Sequence, residues 1–252
     1  MIVLETLNDE LKIYRGEDYH LSEDIIIHQP TLNEICDYGE NNYYSMIYNI
    51  TATPQSLKGQ LWKRGIDYTT ITPYQLFWSL LYKTYSVERT KIIFGDFDFT
   101  KFTPVEYKNE VVLVQEINGK KIIFDEVLYS TMNDYICKSH FIKRDLKIPG
   151  NEKTKMVLIE DALEEMEMAQ NAEKKSMLKN LISAMINSSG FKYNHEQVWN
   201  MKINAFMDSV RRIGKIKEAD LVLQSGYSGF GIDLSKLKNK EKITDWLGEL
   251  DY

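Results

Sequence analysis

The chain has 252 residues, 43% of them hydrophobic and 27% charged, with a formal net charge of −6 at pH 7. That length allows one large domain or two small ones, and it supports a core that needs neither disulfide nor metal to fold. The acidic balance opposes general attraction to nucleic-acid phosphates. The longest basic runs, Lys120 with Lys121 and Arg211 with Arg212, Lys215 and Lys217, are short and read as solvated surface.

Cys36 and Cys137 are the only cysteines and have no neighbours at metal-ligand spacing, so buried free thiols in a reducing compartment are expected. The first ten residues, MIVLETLNDE, turn acidic before a signal-peptide core forms. No apolar run approaches the ~20 residues that span a bilayer. The expected place of synthesis is the cytoplasm, whatever becomes of the protein later.

In chain order, Ile2, Val3 and Leu4, then Leu11 to Tyr14, and then Ile25, Ile26 and Ile27 read as extended, predicting a small N-terminal sheet or hairpin closed by Pro30. Helical signals begin at Thr31, which forms a capping-box pattern with Glu34. Leu32, Ile35 and Cys36 start an apolar face; Gly39 interrupts it, and Tyr43, Ile47 and Ile50 continue it. Thr53-Pro54 and Thr72-Pro73 each place a capping hydroxyl before a first-turn proline. They predict one helix carrying Leu57, Leu61 and Trp62, and another carrying Leu76, Phe77, Leu80 and Leu81.

Near residue 91 the period shifts toward two, with Ile92, Ile93, Phe94, Phe97 and Phe99 set against Asp96 and Asp98. Asn118-Gly119 between residues 111–117 and 120–124 is the strongest local signal. A two-residue type I′ turn needs positive φ at both central positions, so a β-hairpin is predicted there. Beyond Asp125 the pattern is helical. The first stretch carries Leu128, Met132, Tyr135 and Ile136 and ends at Pro149-Gly150; a helix of about twenty residues follows from Asn151. A third helix carries Met177 to Ile186, a fourth runs from about Asn194 through Ile213, Gly226, Gly229 and Gly231 break the pattern, and a short terminal helix covers 245–250. The expected architecture is α+β, predominantly helical, with a small N-terminal β element and an inserted β-hairpin. A soft boundary near 148 divides a mixed region, 1–148, from a helical region, 149–252.

The candidate chemistry is thin. Asp96 and Asp98 offer hard oxygen ligands to a divalent cation, but nothing nearby completes a known loop. Glu160, Asp161, Glu164, Glu165 and Glu167 crowd one helix without the Glu-x-x-His that di-iron bundles use, and read as a solvated or docking surface. His195-Glu196 lacks the second histidine of a zinc protease motif, since position 199 is Trp199. Cys137 and His140 sit three apart, as a thiol–imidazole pair on one helix face would, without an orienting third group. Residues 226–231, GYSGFG, have neither the phosphate-loop ending nor the serine-elbow spacing and read as a helix stop. No catalytic, cofactor-binding or metal-ligating residue is assigned, and the protein is not expected to be an enzyme. The sixteen Tyr, ten Phe, four Trp and ten Met, with Tyr43, Tyr44, Tyr48, Trp62, Tyr68 and Tyr74 clustered before the hairpin, supply core side chains and also the residue types that anchor protein interfaces.

Six stretches resemble proteins from the structural modules of tailed phages and prophages of Gram-positive bacteria: 37–48 (DYGENNYYSMIY), 61–68 (LWKRGIDY), 94–99 (FGDFDF), 150–155 (GNEKTK), 186–193 (INSSGFKY) and 198–212. The resemblance implies a non-enzymatic role in tail morphogenesis. Its first form is an assembly factor such as a tail assembly chaperone, whose partners are tape-measure, tail-tube or baseplate subunits. The alternative is a minor structural subunit of the tail, baseplate or connector, found in the particle rather than only in the host cytoplasm. A hydrolase or metal-dependent enzyme built on Cys137 and His140 or on Asp96 and Asp98 is the third possibility. Self-association is left open, and neither nucleic acid nor membrane is an expected partner.

Overall fold

A computed structural model describes residues 10–108, 110–117, 119–171, 175–228, 231, 243–248 and 250. The fold is α+β and predominantly helical, with one two-stranded and one three-stranded antiparallel sheet.

The chain enters through α1 (Glu10–Arg15), not through the strand expected over Leu11 to Tyr14. Ile13 packs against the core while Leu11 stays exposed, a one-sided pattern that six residues satisfy as a helix. Ile2, Val3 and Leu4 lie outside the described residues. The N-terminal β element is smaller and later than expected: β1 (Tyr19–His20) pairs with β2 (Ile26–Ile27), Tyr19 opposite Ile27.

The capping box at Thr31 forms as the sequence predicts. Glu34 N–H donates to Thr31 Oγ1 at 3.2 Å and Thr31 N–H to Glu34 Oε2 at 2.6 Å, opening α2 (Leu32–Tyr38). Leu32 and Ile35 are its buried face, but Cys36 is exposed, which corrects the expectation of two buried thiols. After Gly39, α3 (Glu40–Ile50) buries Tyr43, Met46, Ile47 and Ile50. Thr53 and Ser56 then cap each other's amides at 2.9 and 3.0 Å, but the regular helix α4 (Lys58–Trp62) begins only beyond that turn. Thr72 and Gln75 form a second capping box on α5 (Pro73–Leu76), which continues into a π-helical turn, Phe77–Leu81, and a 3-10 turn, Tyr82–Thr84.

The alternating residues 92–99 are not a strand. Ile93 and Phe94 close α6 (Val87–Phe94), and Phe99 opens a 3-10 turn capped by Asp98. Phe97, Phe99 and Phe102 all point into the core from this irregular segment, and the two-residue period imitates a strand. The three-stranded sheet has β3 (Thr103–Tyr107), which the sequence reading missed, at one edge, β4 (Glu110–Ile117) in the middle and β5 (Lys120–Phe124) at the other edge. Ile117 opposes Lys120 across the predicted turn, where Gly119 has φ +79°; Asn118 is outside the described residues.

Asp125 caps α7 (Glu126–His140), which ends at a left-handed Phe141, well before Pro149. Then α8 (Glu152–Asn171) lies on α4, where a Cβ at Gly59 would meet Met166 Sδ at 2.9 Å and the Ala162 Cβ at 3.4 Å, so the two helices approach closely there. Lys155 reaches Asp67 at 2.9 Å and Glu152 at 2.8 Å, and this contact holds the Asp67 carboxyl down at about 2. Next, α9 (Met177–Ile186) starts at Ser176, and the Glu40 carboxylate from α3 accepts from the Met177 and Leu178 amides, both at 2.9 Å. The helix expected from Asn194 is a 3-10 turn, Val198–Asn200, followed by α10 (Ile203–Tyr227), which runs through Gly226. The terminal helix expected at 245–250 is a turn across 245–248.

A small core holds Leu61, Tyr68, Leu76 and Ile159. The principal core draws Ile35, Tyr43, Phe77 and Phe124 from before residue 148 and Leu178, Ile182, Met185 and Phe206 from after it. Phe77 is fully buried and its ring lies within 6.5 Å of six other aromatic rings. Phe77→Ala is expected to cost ~3–5 kcal/mol of unfolding free energy in urea titrations. Leu11→Ala, at 74% exposure, stays within about 0.5 kcal/mol of the parent.

Candidate functional site

The two faces of the β3–β4–β5 sheet differ in kind. On the inner face Leu113, Gln115, Ile122 and Phe124 are buried. Phe77, Phe99 and Phe102 pack on the Phe124 ring with centroids 5.5 to 5.7 Å away. The Tyr74 hydroxyl is shared between the Val111 carbonyl at 3.0 Å and the Phe124 carbonyl at 3.1 Å, pinning β4 and β5 to α5. The hairpin is therefore packed at home on this side.

The outer face is open. The register sets Thr103, Val114 and Ile123 in one row and Val105 with Val112 in the next, Tyr107 lying beyond. Val105, Tyr107 and Ile123 are 43%, 59% and 50% exposed. β3 is an edge strand and carries Pro104, which has no N–H to offer a further strand. The sheet thus presents an apolar face with one blunted edge.

Beyond the end of β4 lies a cleft of about 710 Å³, bordered by β2, the loop after α6 and residues 115–117. Asp24, Asp96, Asp98, His28 and Lys101 surround it. Several of these charges are engaged: Asp24 with Lys120 at 2.8 Å, His28 with Asp18 at 2.8 Å, and Asp98 with the Thr100 amide and hydroxyl at 3.0 and 2.6 Å. Gln115 is 5% exposed, and neither amide atom has a hydrogen-bond partner among the described residues.

The residues singled out by sequence fall in separate places. Asp96 and Asp98 meet at the cleft, yet among the described residues no group of three His, Cys, Asp or Glu side chains is placed to hold a metal ion. Glu160, Asp161, Glu164, Glu165 and Glu167 are all exposed on α8. His195 lies edge-on to Trp199, 6.0 Å between centroids. Arg211 donates to the Phe141 carbonyl and Arg212 to the Trp246 and Gly248 carbonyls, so this basic run is tied to its own fold. Gly226 is helical, and residues 229 and 230 of the glycine-rich stretch lie outside the described residues. Of the aromatic cluster, Tyr43, Tyr68 and Tyr74 are core, while Tyr48 and Trp62 are partly open to solvent. Gln115 and the outer face were missed; the Asn118-Gly119 register carries the signal for both, since it fixes which side of β4 each residue takes.

Residues 170–251 match the family model described as YomV second domain, which connects about a third of the chain to a phage-related family. No curated protein and no solved structure matches the chain. Among the described residues no helix is long and apolar enough to cross a membrane.

Cys137 and His140 do share a helix end, but their environments disable the pair. With Nδ1–H donating to the Ile136 carbonyl at 2.8 Å, His140 Nε2 accepts from the Tyr43 hydroxyl at 2.5 Å, so both ring nitrogens are occupied. Burial pushes the Cys137 thiol up to about 11, leaving no thiolate at neutral pH. Burial also lowers His140 from the usual 6.5 to about 4, and the bond to Ile136 only partly opposes it. The unfolded chain takes this proton near pH 6.5 and the folded chain only near 4, so stability is lost as pH falls through that window. The loss reaches at most about 1.4 kcal/mol per pH unit. Urea midpoints at pH 7 and pH 5 should differ accordingly, and His140→Gln should show a smaller difference.

Proposed function

We propose that the chain acts by binding other proteins in phage or phage-like tail morphogenesis, without catalysis, as an assembly factor such as a tail assembly chaperone. The outer face of the β3–β4–β5 sheet carries the reading: Val105, Tyr107, Val112, Val114 and Ile123 form an apolar surface that the fold does not use. The phage-related match over 170–251 and the six resembling stretches supply the setting. The partners are then tape-measure, tail-tube or baseplate subunits, and the acidic face of α8 favours encounter with basic ones. Work in the host cytoplasm follows from this role.

The alternative, a minor structural subunit of tail, baseplate or connector, is favoured by the same face if its occupant is permanent. Quantitative mass spectrometry of purified particles and of the lysate separates the two. Abundance in the lysate with absence from particles is the expected result; stoichiometric presence in particles replaces the assembly-factor reading with the structural one. Ile123→Glu, at a half-exposed position, is expected to leave the melting temperature nearly unchanged. It should also abolish the gain in solubility that the parent chain gives a co-expressed tape-measure fragment, and no gain with the parent chain would count against chaperoning.

A further inference from the structure

The cleft beyond β4 contains a group that the fold alone leaves unsatisfied. Gln115 leaves the sheet on the same face as Leu113 and Ile117, opposite Ile122, where apolar side chains belong. Its amide oxygen and nitrogen are both buried and both without a partner among the described residues. Gln29, also buried, is satisfied in part: its nitrogen donates to the Ile13 carbonyl and the Tyr135 hydroxyl, both at 2.9 Å, and only its oxygen lacks a partner among the described residues, whereas Gln115 lacks both. A carboxamide buried with neither hydrogen bond made destabilises the protein that contains it. Gln115 also lines the open cleft.

The chemistry of that ligand follows from two constraints. A carboxamide is met in full by a group presenting a donor and an acceptor side by side, as a peptide group does. The cleft is also richer in carboxylates than in cations. Asp24 and Asp98 are already engaged, His28 is paired with Asp18, and Lys101 lies 3.9 Å from Asp98. Asp96, also in the lining, has no such engagement among the described residues. A phosphate or carboxylate ligand is disfavoured by this arrangement and a cationic side chain is favoured.

We infer that this cleft receives a short extended segment of a protein partner, its backbone amide pairing with the Gln115 carboxamide and a lysine or arginine side chain meeting Asp96. The inference rests on the protein-binding function proposed above and identifies the chemistry of one partner segment.

The test is a nitrogen-15 NMR titration of the full chain with two blocked tripeptides at millimolar concentration, alanine-lysine-alanine and alanine-glutamate-alanine. The lysine peptide is expected to shift the Gln115 side-chain amide signals, and the glutamate peptide to leave them in place. Asp96→Asn is expected to weaken the lysine peptide roughly 5-fold. Gln115→Leu is expected to remove binding, read at the Asp96 backbone amide, while raising the melting temperature by roughly 2–4 °C because the orphaned amide is gone. Gln115 signals unmoved by the lysine peptide, or moved equally by both peptides, overturn the site. A melting temperature lowered by Gln115→Leu also overturns it, since the amide would then serve the fold. A silent titration beside intact solubilisation of the tape-measure fragment removes the cleft alone, whereas failed solubilisation by the parent chain counts against the function itself.

Discussion

Phe77 stands where the helical and β parts of this protein meet. Its ring is surrounded by Tyr74 from α5, Tyr82 and Tyr85 from the turn that follows, Phe99 from the loop beyond α6, Phe124 from β5 and Tyr129 from α7. A three-stranded sheet is unstable alone unless one face is covered, and this ring cluster is the cover. The shared Tyr74 hydroxyl then fixes where along the strands the cover sits, because the Val111 and Phe124 carbonyls lie on different strands. The opposite face keeps Val105, Tyr107 and Ile123 exposed among the described residues.

The second constraint is long-range capping. A helix N-terminus exposes amides that need acceptors, and α9 draws two of its own from Glu40, on α3. Thr31 and Lys202 form a bridge, and Ile203 N–H donates to the Pro30 carbonyl, which ties the entry to α10 to the entry to α2. The contacts at Pro30 and Thr31 join early and late parts of the chain through backbone groups alone, whereas the cap on α9 depends on the Glu40 carboxylate.

Much of the fold was legible because its signals are local. The capping box at Thr31, the capping hydroxyl at Thr72, the twenty-residue α8 and the Asn118-Gly119 hairpin each arise from residues within a few positions of one another. The failures share a different cause. Residues 92–99 alternate because a helix end and a 3-10 turn both deliver phenylalanines to one core, which no local period reveals. β3 contains a proline and no buried residue, and it is a strand only because β4 is there to pair with it. At the candidate site the residue types were visible but their arrangement was not. Asp96 and Asp98 were read as possible ligands, yet Asp98 spends its carboxylate on Thr100, while Gln115 passed as an ordinary polar residue until the register placed it inside.

The principal core also bears on how a sequence like this can travel between genomes. The stretch matched to a phage-related family begins at residue 170, and within it Leu178, Ile182, Met185 and Phe206 lie in the same apolar cluster as Ile35, Tyr43 and Tyr135. The matched stretch therefore does not fill this core by itself; a chain that carried it without Ile35, Tyr43 and Tyr135 would need other apolar side chains in their places.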